Sequence, residues 1–313
     1  MAAPLALGER WRLGLIAAVW AVDLALLPFA PFRVAWSSFA PVVLWVAVLT
    51  LIALIYTRWR PEPRLAGAAR ATAEILVFVL GAAMLNYLGF MAGRPLVDDS
   101  LVAVDGLFGF HWPSFVAWLG SLPHVDAVLL IAYQSSLPQI ALIVVFLALS
   151  GRALRLDRFL LAFMFSALIT VAVWTVFPTF GAYTYYLGQG VEVPAAGLAV
   201  DPAYARTLLA MHAGSFTAFG FDTIVGLVGF PSFHTCLAVL CVFALRGVRR
   251  LGPLALVANA LVLLSVPAQG GHHLADVFGG LVAIGLAMGL ARRVLAPAES
   301  SAPVTTLATL PAK

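Results

Sequence analysis

The chain has 313 residues, of which 63% are hydrophobic and only 10% charged, and its mean hydropathy is +1.02. A water-soluble domain carries about 45–50% apolar and about 25% charged residues, so a soluble globule is excluded. The formal net charge of +4 is too small and too scattered to form a nucleic-acid stripe, and nucleic acid drops out as a partner.

Arg10 and Arg12 precede an apolar stretch from Leu13 to about Pro31. That stretch is longer than the ~7–15 residue core of a signal peptide, and no small-x-small site ends it, so it reads as a retained span. A spanning helix needs about 20 mostly apolar residues. Eight segments qualify, near 13–31, 35–56, 71–92, 125–149, 158–177, 231–246, 252–269 and 272–294. The 231–246 and 252–269 runs are short, and cross only with local thinning or snorkelling flanks. The expected fold is therefore all-α, a polytopic membrane bundle of about eight transmembrane helices.

Arginine placement tests this count, because short cytoplasmic loops collect Lys and Arg. With the N-terminus inside, the inner segments hold fourteen arginines and the outer ones only Arg33, Arg94 and Arg206. Both ends are expected in the cytoplasm, in a bacterial inner (cell) membrane, with the active site on the outer face. Cys236 and Cys241, five apart in one apolar run, point to different helix faces and imply no disulfide framework.

Two outer segments exceed mere turns, Gly93 to His124 and Pro178 to Phe230. The first alternates apolar residues with Asp98, Asp99 and Asp105, then turns aromatic at Phe108, Phe110, Trp112, Phe115 and Trp118. Such rings favour the headgroup boundary, so it is expected along the membrane surface, with the acids on a solvated face. The second, with Gly181, Gly188, Gly190, Pro194, Pro202 and Gly220, reads as an ordered cap containing short helices. The segment from Ala296 to Lys313, rich in Ala, Ser, Thr and Pro, has the composition of a disordered tail. The domain expectation is two accessory helices over 1–70, a catalytic membrane domain with a six-helix core over 71–295, and that tail.

All six histidines fall on the outer side of this topology. Pro231-Ser232-Phe233-His234 opens the sixth span, and His272-His273-Leu274-Ala275-Asp276 opens the eighth. His272 and Asp276 are spaced i,i+4 and share a face, so the carboxylate can hold the imidazole in one tautomer and stabilise its cation, as a nucleophilic histidine requires. Pro231 suits a helix start, and the first-turn N–H groups with Ser232 form an anion site. Arg94, followed by Pro95 at the outer end of the third span, offers a bidentate phosphate fork. His273 points about 100° from His272 and is either a site residue or only a neighbour, while His111, His124 and His212 read as interfacial. In the fourth span, Tyr133, Gln134, Ser135, Ser136 and Gln139 surround Pro138 and serve either helix–helix hydrogen bonding or headgroup recognition. Asp23 and Glu74 are ionisable groups without a nameable partner.

Arg94-Pro95, Pro231-Ser232-x-His234 and His272-x-x-x-Asp276, in that order, resemble the three signature motifs of the type 2 phosphatidic acid phosphatase superfamily. Phe230 to Thr235 and Gly271 to Gly280 resemble the branch containing inositol phosphorylceramide synthase, an inositolphosphotransferase. The resemblance implies that His272 attacks a lipid phosphate to give a phosphohistidine, Asp276 orients it, and His234 protonates the leaving group. It also implies substrate contacts for Arg94, Ser232 and, at a position where this branch carries an acid, Asp105. The phosphatase form has a lysine where Tyr87 stands and Ser-Arg where Ser265-Val266 stand, so two phosphate-binding cations are missing. Arg206 in the cap is the candidate replacement, with His273 a further substrate-side candidate.

The expected function is thus a membrane lipid phosphatase or phosphotransferase, tilted toward phospho-headgroup transfer, needing no metal or cofactor and partnered by a lipid phosphate and the bilayer. Simple lipid phosphate hydrolysis is the alternative. A metal-dependent hydrolase using His234, His272, His273 and Asp276 would suit zinc but leave Ser232 and Arg94 idle. A transporter would call for inverted repeats, and the two halves have no internal similarity.

Overall fold

The computed structural model describes residues 6–192 and 197–300. Its helices are α1 (Leu7–Leu26), α2 (Ala40–Arg58), α3 (Pro63–Phe90), α4 (Asp98–Leu107), α5 (Trp112–Gly120), α6 (Pro123–Gln134), α7 (Ser136–Leu149), α8 (Ala153–Val176), α9 (Gly181–Gly188), α10 (Pro202–His212), α11 (Phe233–Leu245), α12 (Leu251–Gln269) and α13 (Leu274–Ser300). Two two-residue strands, β1 (Arg33–Val34) and β2 (Ala218–Phe219), pair in parallel and tie the α1–α2 connection to the cap. The all-α membrane bundle is as expected.

Among the described residues six helices are long and apolar enough to cross a membrane, or seven if α5 and α6, bent by 113°, count as one broken span. The difference from eight lies in two places. Residues 125–149, expected as one span, are divided between α6 and α7, and α11 has only 13 residues, about 20 Å of helix. The tail expectation is corrected at its start, because α13 continues to Ser300; residues 301–313 and Pro194 lie outside the described residues. The segment before α6 folds into α4 and α5, and the cap contains the expected short helices, α9 and α10; Trp112, expected at the headgroup boundary, is buried, stacked on Tyr186 and donating to the Pro267 carbonyl at 2.7 Å.

Burial on α8 explains its central position. Phe159, Leu160, Leu161, Phe163, Met164 and Trp174 are all buried, and α8 packs on α1, α3, α11 and α13. By contrast α2 packs on α3 and leaves Val43, Leu44, Trp45 and Leu51 exposed, the all-round apolar surface of a lipid-facing helix.

One polar cluster pins α1 into this bundle. Arg12, counted above among loop arginines, is buried and pairs with Glu74 of α3 at 2.5 Å and with Asp157 of α8, while Arg70 pairs with Glu9 at 2.7 Å. Glu74 therefore has a partner after all; Asp23 is fully buried, and its carboxylate makes no hydrogen bond among the described residues. Breaking a buried pair by removing one partner costs about 3–5 kcal/mol, because a charge is left uncompensated. Glu74→Ala is expected to lower the melting temperature in detergent, and Arg12→Ala combined with Glu74→Ala to cost clearly less than the sum of the two singles. Additive losses would show that the pair carries no coupling.

Candidate active site

The His272–Asp276 motif is positioned by backbone geometry before any side chain acts. Helix α12 ends at Gln269, and the chain turns through Gly270 and Gly271 to reach α13. A Cβ on Gly270 would lie 2.5 Å from the His272 ring and 3.0 Å from the Tyr133 hydroxyl, and one on Gly280 would lie 2.6 Å from the Ser232 carbonyl. Glycine is the residue that allows such approaches. These contacts bring α6, the start of α11 and the start of α13 to one spot.

His272 and His273 precede α13 rather than forming its first turn, and Asp276 lies within that turn. The side-chain pairing expected from the spacing is nevertheless made. His272 Nδ1 is 2.9 Å from Asp276 Oδ2, and that oxygen also accepts the His273 N–H at 3.0 Å. On its other side, His272 Nε2 lies 3.4 Å from Ser232 Oγ. Ser232 is the N-cap of α11, accepting from the Thr235 N–H, and its own N–H donates to the Asp276 carbonyl at 3.0 Å. Pro231 therefore sits before the cap instead of in the first turn. Ser232, His272 and Asp276 are all buried.

His234, one residue into α11, stacks on Tyr133 with ring centroids 4.2 Å apart, its Nδ1 3.2 Å from the Tyr133 hydroxyl. Since that hydroxyl also abuts the Gly270 position beside His272, the two histidines converge from different helices. The polar cluster of the fourth span thus divides. Tyr133 serves the site, whereas Gln139 accepts from Asn259 of α12 at 2.8 Å, a helix–helix hydrogen bond.

The solvated-face expectation for the acids is corrected for Asp98 and Asp105, which are buried. Asp105 accepts from the Leu274 and Ala275 N–H groups at 3.1 and 2.8 Å, satisfying free donors at the start of α13. Asp98 accepts from the Phe180 N–H at 3.0 Å, at the head of α9. His273 is held between them, 3.4 Å from each carboxylate, so His273 and Asp105 face each other and the helix start rather than an open substrate surface. Burial alone would lower the His273 pKa, but Asp105 and Asp98 push it up to about 9. Asp99, by contrast, is exposed and accepts from the Tyr185 hydroxyl at 2.5 Å.

Arg94, between α3 and α4, and Arg206, on α10, are exposed, and neither makes a hydrogen bond or ion pair with a described residue. Tyr87, at the missing lysine position, is buried, donating to the Thr223 carbonyl at 2.6 Å and accepting from the Val225 N–H at 3.0 Å, which fixes the cap over α3. Ser265 and Val266 are buried within α12. Gln269, which the sequence reading did not single out, joins Asp126 at 2.6 Å to the Ala199 N–H at 2.9 Å and so ties the cap to the end of α12; its position just before the Gly-Gly turn is the available signal. Among the described residues no group of three or more His, Cys, Asp or Glu side chains is arranged to hold a metal ion, and the set His234, His272, His273 and Asp276 is divided between two environments.

The His273 clamp has a pH signature. Its folded pKa is raised from 6.5 to about 9, so the stabilisation is fully present below the lower value and lost as pH rises through the upper one. The melting temperature should fall across that window in the wild type, and His273→Gln should flatten the fall. An unchanged slope in the variant would remove the charged clamp.

The PAP2 superfamily profile matches residues 99–290, well over half of the chain, beginning just after Arg94-Pro95 and spanning α4 to most of α13. No curated protein and no solved structure matches the chain.

Proposed function

The chain belongs to the PAP2 superfamily, whose members are phosphatases and phosphotransferases acting on lipid phosphates, and from that premise we propose that it transfers a phosphoryl or phospho-headgroup through a phosphohistidine on His272. The observation that carries this reading is the line Asp276–His272–Ser232. Because Asp276 engages Nδ1 at 2.9 Å, the ring proton is held there and Nε2 keeps its lone pair. That nitrogen faces the Ser232 hydroxyl, at the N-terminus of α11, where first-turn N–H groups and the helix dipole favour a phosphate.

In the proposed reaction Nε2 attacks phosphorus while the bond to the leaving oxygen breaks, and His234 delivers a proton to that oxygen. Asp276 stabilises the positive charge on the phosphorylated ring. An acceptor O–H then attacks phosphorus, the P–N bond breaks, and His234 takes the acceptor's proton, returning both histidines to their starting states. Tyr133 holds the His234 ring by stacking and by its hydroxyl. Arg94 and Arg206 are the cations assigned to the phosphate oxygens.

The acceptor distinguishes a transferase from a phosphatase. The tilt toward inositolphosphotransferase-type transfer is supported by the Gly271 to Gly280 motif and by Tyr87, which stands where the phosphatase form has a lysine and is fully engaged by the cap. The test is purified protein with labelled phospholipids, with and without an alcohol acceptor. Label in a new lipid supports transfer, and label released as free phosphate supports the simple phosphatase instead.

His272→Ala is expected to abolish turnover in a folded protein and to prevent trapping of a phosphorylated enzyme, while Asp276→Asn loses most but not all of the rate. A near-normal rate in His272→Ala would sink the mechanism. For Arg94→Lys, loss of the guanidinium fork should cost about 1.5–3 kcal/mol, the range for hydrogen bonds to charged groups, or roughly one to two decades in kcat/KM. Thermal stability should hardly move, since Arg94 is exposed and unpaired among the described residues. A lowered melting temperature with intact activity would instead make Arg94 structural.

A further inference from the structure

A second basic site lies at the other end of the helices that carry the catalytic groups. Helix α11 bears His234 at its start and ends at Leu245, followed by Arg246, about 18 Å further along at 1.5 Å per residue. Helix α13 bears Asp276 in its first turn and Arg292 sixteen residues on, about 24 Å away. Between these ends and the start of α8 is a cavity of about 370 Å³ lined by Arg155, Arg158, Arg246 and Arg292. Among the described side chains no carboxylate lines it, and its lining also carries the apolar Leu240 and Met288.

The guanidinium groups of Arg155, Arg246 and Arg292 share this concavity, and its low-dielectric walls focus their field on an anion. Arg155 is already held in place, donating to the Arg246 carbonyl at 3.0 Å at the end of α11. The side chains of Arg246 and Arg292 are exposed and make no hydrogen bond or ion pair with a described residue. An anion alone would account for the arginines but not for the apolar lining from α11 and α13. An amphiphile satisfies both, and basic pockets between transmembrane helices are suited to anionic lipid headgroups. We infer that this cavity binds an anionic phosphate group, supplied by a phospholipid of the leaflet opposite the catalytic face, with its acyl chain along Leu240 and Met288.

The test is native mass spectrometry of the full chain in neutral detergent, titrated with phosphatidylglycerol or phosphatidylcholine, with inorganic phosphate as a competing arm. The wild type and His272→Ala should each retain one more phosphatidylglycerol than Arg246→Gln combined with Arg292→Gln, with that site weakened at least tenfold in the double variant. Phosphatidylcholine should give no difference between them. Because the Arg246 and Arg292 substitutions leave the catalytic groups intact and His272→Ala leaves this cavity intact, lipid lost only in the former is lipid held here, and the inference stands or falls independently of the proposed reaction. Single variants Arg292→Gln and Arg292→Lys guard against a folding defect; binding should weaken in the first and be largely retained in the second. Equal phosphatidylglycerol retention in all variants, or equal retention of phosphatidylcholine, overturns the site. Displacement of the lipid by inorganic phosphate would make the occupant a soluble anion and overturn the lipid assignment.

Discussion

The Asp105 carboxylate is the constraint on which the geometry of the candidate site depends. It comes from α4, some 170 residues upstream of the backbone it caps, and meets two N–H groups at the head of α13 that have no helical acceptor. A negative charge there also opposes the positive end of the helix dipole. His273 then bridges Asp105 to Asp98, and Asp98 in turn caps α9. With residues 273–275 held in this way, His272 on one side and Asp276 on the other have little freedom to part.

The second requirement is that two histidines from separate helices share one small volume. That is a matter of excluded bulk more than of attraction. Gly270 lets the His272 ring and the Tyr133 hydroxyl approach the same backbone, and Gly280 lets α13 close on the Ser232 carbonyl. Tyr133 then fixes His234 with one ring face and one hydroxyl. Pre-set orientation of this kind removes motion that would otherwise have to be frozen in the transition state.

The parts of this site legible in the sequence are those whose geometry is local. His272 and Asp276 are four residues apart, a relation read from spacing, and Ser232 announces a helix start by its residue type. Asp98 and Asp105 were misread because charged residues near apolar ones on an outer segment usually face water; their separation of seven, two helical turns with buried Leu101 between, was the available sign that both share a face. Arg12 deceived for the opposite reason, since a cation beside a span reads as a loop anchor until Glu74 and Asp157 arrive from other helices. Long-range partners of this type leave no local periodicity. The divided fourth span and the short α11 likewise follow from how neighbouring helices pack, which hydropathy does not encode.

The remaining question is why the cations assigned to phosphate are exposed. The one buried arginine among the described residues, Arg12, belongs to the Glu74–Asp157 cluster. A guanidinium fixed in this interior without its phosphate would carry a desolvation cost of several kcal/mol. Exposed side chains avoid it, because Arg94 and Arg206 remain hydrated on flexible stems until an anion is present. What stays pre-formed is the part without net charge, the Ser232 hydroxyl and the N–H groups of α11. On the proposed mechanism, orientation of the nucleophile is built into the fold, while charge neutralisation is completed only when the substrate phosphate arrives.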